Sequence, residues 1–325
     1  SLRRLNSEYT GPAVELYRAF DQATLDVGFL ADGSLDIVSI VNFATALGPR
    51  DMGVRTWYDQ SGNGLDAVQT DSAKMPLLTV AGEVVTENGK PAVKFDGANN
   101  YMEQDSVELT QAVTATAVAK TFDDGLGYIF DGDDSDRITL FQSEDSRGFS
   151  MFAGEVAPTN YKDREYNLHT CLYDQSTSTY RLNGVEWIAA DGVGSNSATG
   201  IHLGIKHDLN TAGALKGTVS ELILWNDDLT GQYAALESNI MEHYGLGEYS
   251  LPLEVHEDAT MAYSLRKLRH GYDGYAIKVR RDNGTTEYIG FDANGDLDVA
   301  TLQEFALGGN TQDVTVAEWL DQSGN

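Results

Sequence analysis

The sequence predicts a mainly β protein, an antiparallel β-sandwich with a few short helices. Two observations predict it. From about Ala92 to Asn226, short apolar runs recur with turn residues between them, and many short strands with little intervening helix favour antiparallel sheets packed face to face. The composition also suits a packed core, at 41% hydrophobic with 16 Tyr, 11 Phe and 4 Trp in 325 residues.

The strands read in order as follows. Ala92–Phe95 ends at Asp96-Gly97, and Val113–Lys120 alternates. Tyr128–Phe130, Ile138–Phe141 and Phe149–Phe152 come next. Thr179–Leu182 and Val185–Ile188 flank Asn183-Gly184, a pair that tolerates positive φ at both places and so suits a type I′ hairpin. Ile201–Ile205 and Val219–Trp225 complete the set. Two helices are expected. Asp36–Leu47 puts Ile37, Ile40, Val41, Ala44 and Leu47 on one stripe, and Leu229–Tyr244 aligns Tyr233, Leu236, Ile240 and Tyr244 before a stop at Gly245.

The chain also repeats itself. Ser1–Leu5 returns as Ser264–Leu268, Asp32–Asp36 as Asn294–Asp298, and Trp57–Asn63 as Trp319–Asn325. A period near 262 residues is a whole domain. The expected organisation is a module over residues 1–249, a short linker over 250–260, with its seam near Glu248–Glu257, and the opening segment of a second copy over 261–325. Both ends fall inside the repeated motif, so the chain is expected to be a slice of a longer polypeptide, with Ile277, Val279, Ile289, Phe305 and Leu307 of the short copy lacking partner sheets.

Fifty acidic against 22 basic residues give a formal charge of −28. Such a balance argues against nucleic acid and anionic membranes as partners, which need clustered cations. No long apolar stretch suggests membrane insertion. Cys171 is the only cysteine and sits in an apolar run, as a core residue does. The six histidines show no zinc-like spacing, and no phosphate-cradling glycine loop or nucleophile elbow is present.

Two motifs carry the functional reading. Trp57-Tyr58-Asp59-Gln60-Ser61-Gly62-Asn63-Gly64 combines aromatic faces with short polar side chains. Trp57, Tyr58, Asp59, Gln60 and Asn63 are the candidate ligand-binding residues, able to stack on a sugar ring and bond its hydroxyls. The same polar residues also make tight turns by bonding their own backbone. The run Asp131-Gly132-Asp133-Asp134-Ser135-Asp136 offers alternating oxygens, so Asp131, Asp133, Asp134 and Asp136 are the candidate metal ligands. Calcium is the cation that chemistry fits, although no bidentate Glu closes the loop and no cofactor is required. Asp292–Asp298 looks similar, but its first-copy match, Leu30–Asp36, lacks two of the oxygens, and a turn with a helix cap explains both.

Trp57–Gly64, followed by Gly89–Gly97, Asn100-Tyr101 and the closing Gly217–Trp225, resembles the concanavalin A-like, laminin-G-type jelly-roll sandwich. The N-terminal part is similar to the catalytic domain of family 54 α-L-arabinofuranosidases. That resemblance implies the sandwich fold and, for the enzymes, a vicinal disulfide beside the substrate pocket. This chain has Cys171 alone, and the central region offers no match for that family's nucleophile or acid. The expectation is therefore a non-catalytic carbohydrate-recognition or adhesion module of a surface protein or of a phage tail, fibre or virion. The alternatives are a purely structural scaffold and an arabinofuranosidase-like glycoside hydrolase. Expected partners are surface glycans, neighbouring copies of the module or like chains, outside the cell or on a virion surface.

Overall fold

The structure, a computed structural model, describes residues 1–144, 148–159, 164–187, 192–247, 259–269, 272–292, 296–308 and 313–323. The expected seam at Glu248–Glu257, Ile188 and the Asn294-Gly295 turn lie outside them. The chain divides into two compact units, Ser1–Glu248 and Tyr249–Asn325.

The first unit is an antiparallel β-sandwich. It opens with β1 (Val14–Arg18), β2 (Ala23–Val27), helix α1 (Ile37–Thr45) and β3 (Met52–Trp57). Six short strands follow: β4 (Ala67–Val68), β5 (Leu77–Val80), β6 (Glu83–Val84), β7 (Thr86–Glu87), β8 (Lys90–Pro91) and β9 (Val93–Asp96). The main body comprises β10 (Met102–Leu109), β11 (Val113–Thr121), β12 (Gly127–Gly132), β13 (Thr139–Gln142), β14 (Phe149–Phe152) and β15 (Val156–Pro158). It continues with β16 (Asn167–Tyr173), β17 (Thr179–Leu182), β18 (Val185–Trp187), β19 (Ala198–Leu203) and β20 (Lys216–Trp225), and closes on α2 (Tyr233–Tyr244).

Pairing arranges these strands in two layers. One runs β18-β17-β16-β11-β20-β9-β5-β3-β1-β2. The other runs β4-β10-β19-β12-β13-β14-β15, and β4 also pairs with β3, joining the layers at one corner. Because side chains alternate across a strand, register decides which residues meet. Met102, Leu203, Phe130, Leu140, Met151 and Ala157 form one inward row, all buried. They share a core with Ala115, Ala117, Cys171, Tyr173 and Tyr180 of the opposite layer. Phe130 meets Tyr173 edge-to-face at 6.3 Å, and the Tyr173 hydroxyl donates to the Thr139 carbonyl at 2.8 Å.

Local chemistry sets the element ends. Asp36 caps α1 by accepting from the Ser39 N–H at 3.0 Å. Helix α1 stops at Thr45, short of the expected Leu47, where Gly48 turns the chain at φ +88°. Its buried stripe is narrower than expected: Ile40 and Ala44 are buried, whereas Val41 and Leu47 are exposed. Helix α2 ends at Gly245 in the left-handed region and lays Ile240, Met241 and Tyr244 over Val118, Tyr166 and Leu168. At about 1.5–3 kcal/mol per fully buried large side chain, that cover is a main term in the unit's stability.

The second unit holds β21 (Ile277–Arg281), β22 (Thr286–Ile289), helix α3 (Val299–Leu307) and β23 (Val314–Trp319). Its internal pairing matches that of β1, β2 and β3. Ile277 pairs with Ile289 and Trp319 as Val14 does with Val27 and Trp57, and both sheets shift register one residue later. Arg281 donates to the Phe305 carbonyl and lies over that ring at 4.2 Å, as Arg18 does with Phe43. Of the five residues expected to lack partners, Ile277, Val279, Ile289 and Phe305 are buried in a small core of their own, because α3 folds onto the hairpin, while Leu307 is exposed.

Candidate active site

Register builds a polar row on the outer face of the second layer. Glu103 pairs with His202, His202 with Asp131, Asp131 with Thr139, and Thr139 with Phe152. Directly opposed residues share a face, so four strands bring a carboxylate, an imidazole, a second carboxylate and a hydroxyl into one line. Asp131 is fully buried and His202 nearly so, while the Glu103 side chain is 40% exposed.

Each group has a defined state. The Asp131 oxygens are committed: Thr139 Oγ1 donates to one, Arg137 Nε lies 2.9 Å from the same oxygen, and the His207 N–H donates to the other at 2.8 Å. Burial nonetheless holds the Asp131 carboxyl above the usual carboxylate range. Burial, and secondarily the charge on Asp105, also raises Glu103. Burial lowers His202, so the imidazole is neutral at pH 7. His202 Nε2 lies 3.9 Å from Glu103 Oε2, and the ring meets Tyr101 edge-to-face at 6.1 Å.

Asp133 completes the group. Its carboxylate lies over Gly200, a residue at φ +78° where any Cβ would collide with it. Buried Asp133 Oδ1 and buried His202 Nδ1 both lack hydrogen-bond partners among the described residues. Buried polar atoms are nearly always satisfied, so these two atoms are available to a bound water or ligand. Aromatic rings stand on the same face: Tyr128 stacks on Phe141 at 5.1 Å, and Arg137 covers Phe152 at 4.6 Å.

The four aspartates expected as metal ligands do not converge. Asp131 and Asp133 belong to the row, Asp134 accepts from the Ser135 N–H, and Asp136 from the Ser197 N–H at 3.1 Å. Among the described residues no group of three His, Cys, Asp or Glu is placed to hold a metal ion.

Trp57, Tyr58, Asp59, Gln60 and Asn63 lie elsewhere, around a cleft of about 510 Å³ in the first unit. Most of their polar groups are engaged with the chain itself. Gln60 Nε2 donates to the Ser1 and Arg3 carbonyls at 3.0 Å each, and Gln60 Oε1 accepts from the Leu5 N–H at 2.9 Å. Asp59 accepts from the Ser61 N–H and Oγ and from the Leu65 N–H, which together hold its carboxyl low against the opposing effect of burial. Tyr58 donates to Asp26 at 2.8 Å. Gln322 repeats the Gln60 clasp in the second unit, donating to the Ser264 and Arg266 carbonyls and accepting from the Leu268 N–H. A motif that performs the same clasp in both units has a structural duty in each.

No protein-family model matches this sequence, and none of the curated proteins is similar to it. Solved structures are similar in fold. A mutant of a GH54 α-L-arabinofuranosidase soaked with 4-nitrophenyl α-L-arabinofuranoside superposes with TM-score 0.56 at 13% identity, over 89% of this chain and 68% of that one. An arabinofuranosidase complexed with arabinofuranosyl-α-1,2-xylobiose gives 0.56 at 14%, over 88% and 68%. A GH54 α-L-arabinofuranosidase soaked with a cyclic sulfate inhibitor gives 0.55 at 16%, over 88% and 68%. These likenesses establish the sandwich fold. The three named structures share it over most of this chain and are arabinofuranosidases, which counts against the expectation of a non-catalytic recognition or adhesion module.

Proposed function

We propose that the chain is a glycoside hydrolase whose active site is the outer face around Glu103, His202 and Asp133. One observation carries this reading: a half-exposed carboxyl raised by burial shares a face with a second carboxylate that has an unsatisfied buried oxygen. Glycoside hydrolysis needs that division of labour, an acid to protonate the leaving oxygen and an ionised partner to act at the sugar carbon or on a water. Glu103 is the proton donor. Asp133 is the second carboxylate, and neutral His202 stands beside both. Asp131, which accepts two hydrogen bonds and forms an ion pair with Arg137, anchors Arg137 and the His207 backbone. The aromatic faces of Tyr101, Tyr128 and Phe141 supply apolar walls for a sugar.

The fold likeness suggests α-L-arabinofuranosides as the substrates to test first. The setting we propose is extracellular, with glycan as the partner and the second unit as the opening part of a further copy. No described helix is long and apolar enough to cross a membrane.

The test uses two substrates of unequal leaving group. On 4-nitrophenyl α-L-arabinofuranoside, whose leaving group needs little protonation, Asp133→Asn lowers kcat by roughly 100-fold or more and Glu103→Gln by much less. On arabinofuranosyl-α-1,2-xylobiose, both variants lose roughly 100-fold or more. Wild-type levels of turnover in both variants, at unchanged thermal stability, would contradict the assignment.

A further inference from the structure

Arg137 stands on the same outer face as the acidic row. It lies two positions before Thr139, and residues two apart along a strand share a face. Its guanidinium covers the ring of Phe152, the cross-strand partner of Thr139, at 4.6 Å. Gly132 leaves room for it, since a Cβ there would fall 2.6 Å from Arg137 Cβ. Asp133 reaches the face from the other side: a Cβ on Gly200, two positions before His202, would fall 2.2 Å from Asp133 Oδ2.

Only 16% of the Arg137 side chain is exposed. Even so, none of its N–H groups donates a hydrogen bond to a described residue. Nε is buried and lies 2.9 Å from Asp131 Oδ1, but its N–H is not aimed at that oxygen. The ion pair balances charge and leaves the guanidinium fork free to donate. Asp133 Oδ1, buried and without a described partner, is the matching acceptor. No ion pair joins it to Arg137 among the described residues.

Charge decides what can lie between the two. A cation would face Arg137, and a carboxylate or phosphate would face Asp131 and Asp133. A neutral polyol meets neither penalty, because each hydroxyl can accept from a guanidinium and donate to a carboxylate. A sugar ring with free hydroxyls has that chemistry.

We propose that Arg137 is the substrate-binding residue that fixes the sugar at this site, donating to the oxygen of the 2-hydroxyl, next to the carbon on which Asp133 acts. The inference rests on the glycosidase reading above and adds a sugar contact to it. A hydrogen bond to that hydroxyl strengthens as the neighbouring carbon gains positive charge, so Arg137 assists the reaction as well as the binding.

The probes are methyl α-L-arabinofuranoside and its 2-deoxy analogue, titrated by NMR into full chains carrying Glu103→Gln, with Arg137 intact or changed. With Arg137 intact, the parent sugar binds saturably and the 2-deoxy sugar at least about tenfold more weakly. Arg137→Lys keeps the charge beside Asp131 and loses the fork. It weakens the parent sugar at least about tenfold and leaves the 2-deoxy sugar as it was, which isolates the pairwise contact. Arg137→Met combined with Asp131→Asn, which leaves no buried charge unpaired, behaves in the same way. Equal binding of the two sugars by the chain with Arg137 intact overturns the proposal and leaves the hydrolase reading standing. So does an equal loss of both sugars in the variants, or no loss of either. Absence of saturable binding by the parent sugar also overturns it, and the turnover comparison above then decides the hydrolase reading separately.

Discussion

Gln60 is nearly buried at 7% exposure and makes three hydrogen bonds to the backbone of Ser1–Leu5. A net hydrogen bond contributes about 1 kcal/mol and an orphaned buried group costs more, so Gln60→Ala is expected to destabilise the first unit by about 2–4 kcal/mol in urea unfolding. A loss under about 0.5 kcal/mol would show that the clasp is incidental. His169 poses the opposite electrostatic case. Its ring is buried against Phe149 at 4.5 Å, with Nδ1 2.8 Å from the Tyr180 hydroxyl, and burial alone lowers it from 6.5 to about 3. A histidine that resists protonation when folded stabilises fully above the unfolded value of 6.5, and that contribution drains away as pH falls toward about 3. The expected loss over that window is on the order of a few kcal/mol. His169→Phe should flatten this acid limb relative to wild type, and identical urea-stability profiles in the two proteins would refute the assignment. The residue-level reading of Trp57–Asn63 was legible as a motif, because its composition is distinctive. Its clasp was not, since that depends on backbone groups more than 50 residues away.

At the scale of elements, legibility followed burial pattern. β11, buried almost throughout, and the Asn183-Gly184 hairpin, with φ of +46° and +82°, stood out in the sequence. β10 did not. Its Met-Glu-Gln-Asp-Ser-Val-Glu-Leu is mostly polar and fully buried only at its two ends, and no local pattern separates such a strand from a loop. That omission concealed the site as well. Glu103 is on β10 and His202 on β19, 99 positions apart, and only the pairing of those strands makes them neighbours. A row across four strands is a product of register, which sequence reveals only when the strands themselves are found. The aspartate run at 131–136 was visible, but its side chains diverge in the folded loop. Proximity along the chain does not ensure convergence in space.

At the scale of the molecule, the two layers enclose an apolar interior, and one outer face retains titratable groups. The two units share the same hairpin, the same register shift and the same clasp. Solvent exposure differs between the matches. Trp57 and Val54 are buried, whereas Trp319 and Val316 are 50% and 58% exposed. In the first unit β3 adds β4 and β5 on its outer edge, while β23 pairs with β21 alone among the described residues. The face proposed as the active site therefore belongs to the first unit, where the second layer exists to carry it.

The most direct measurement is kcat/KM for arabinofuranosyl-α-1,2-xylobiose as a function of pH, for the wild type and Glu103→Gln. Burial and the Asp105 charge raise the Glu103 carboxyl, so the acid stays protonated further toward neutrality, and its loss as pH rises produces an alkaline limb. The account predicts that limb in the wild type and its disappearance, with roughly 100-fold lower activity, in Glu103→Gln. A variant retaining both the rate and the limb would contradict it.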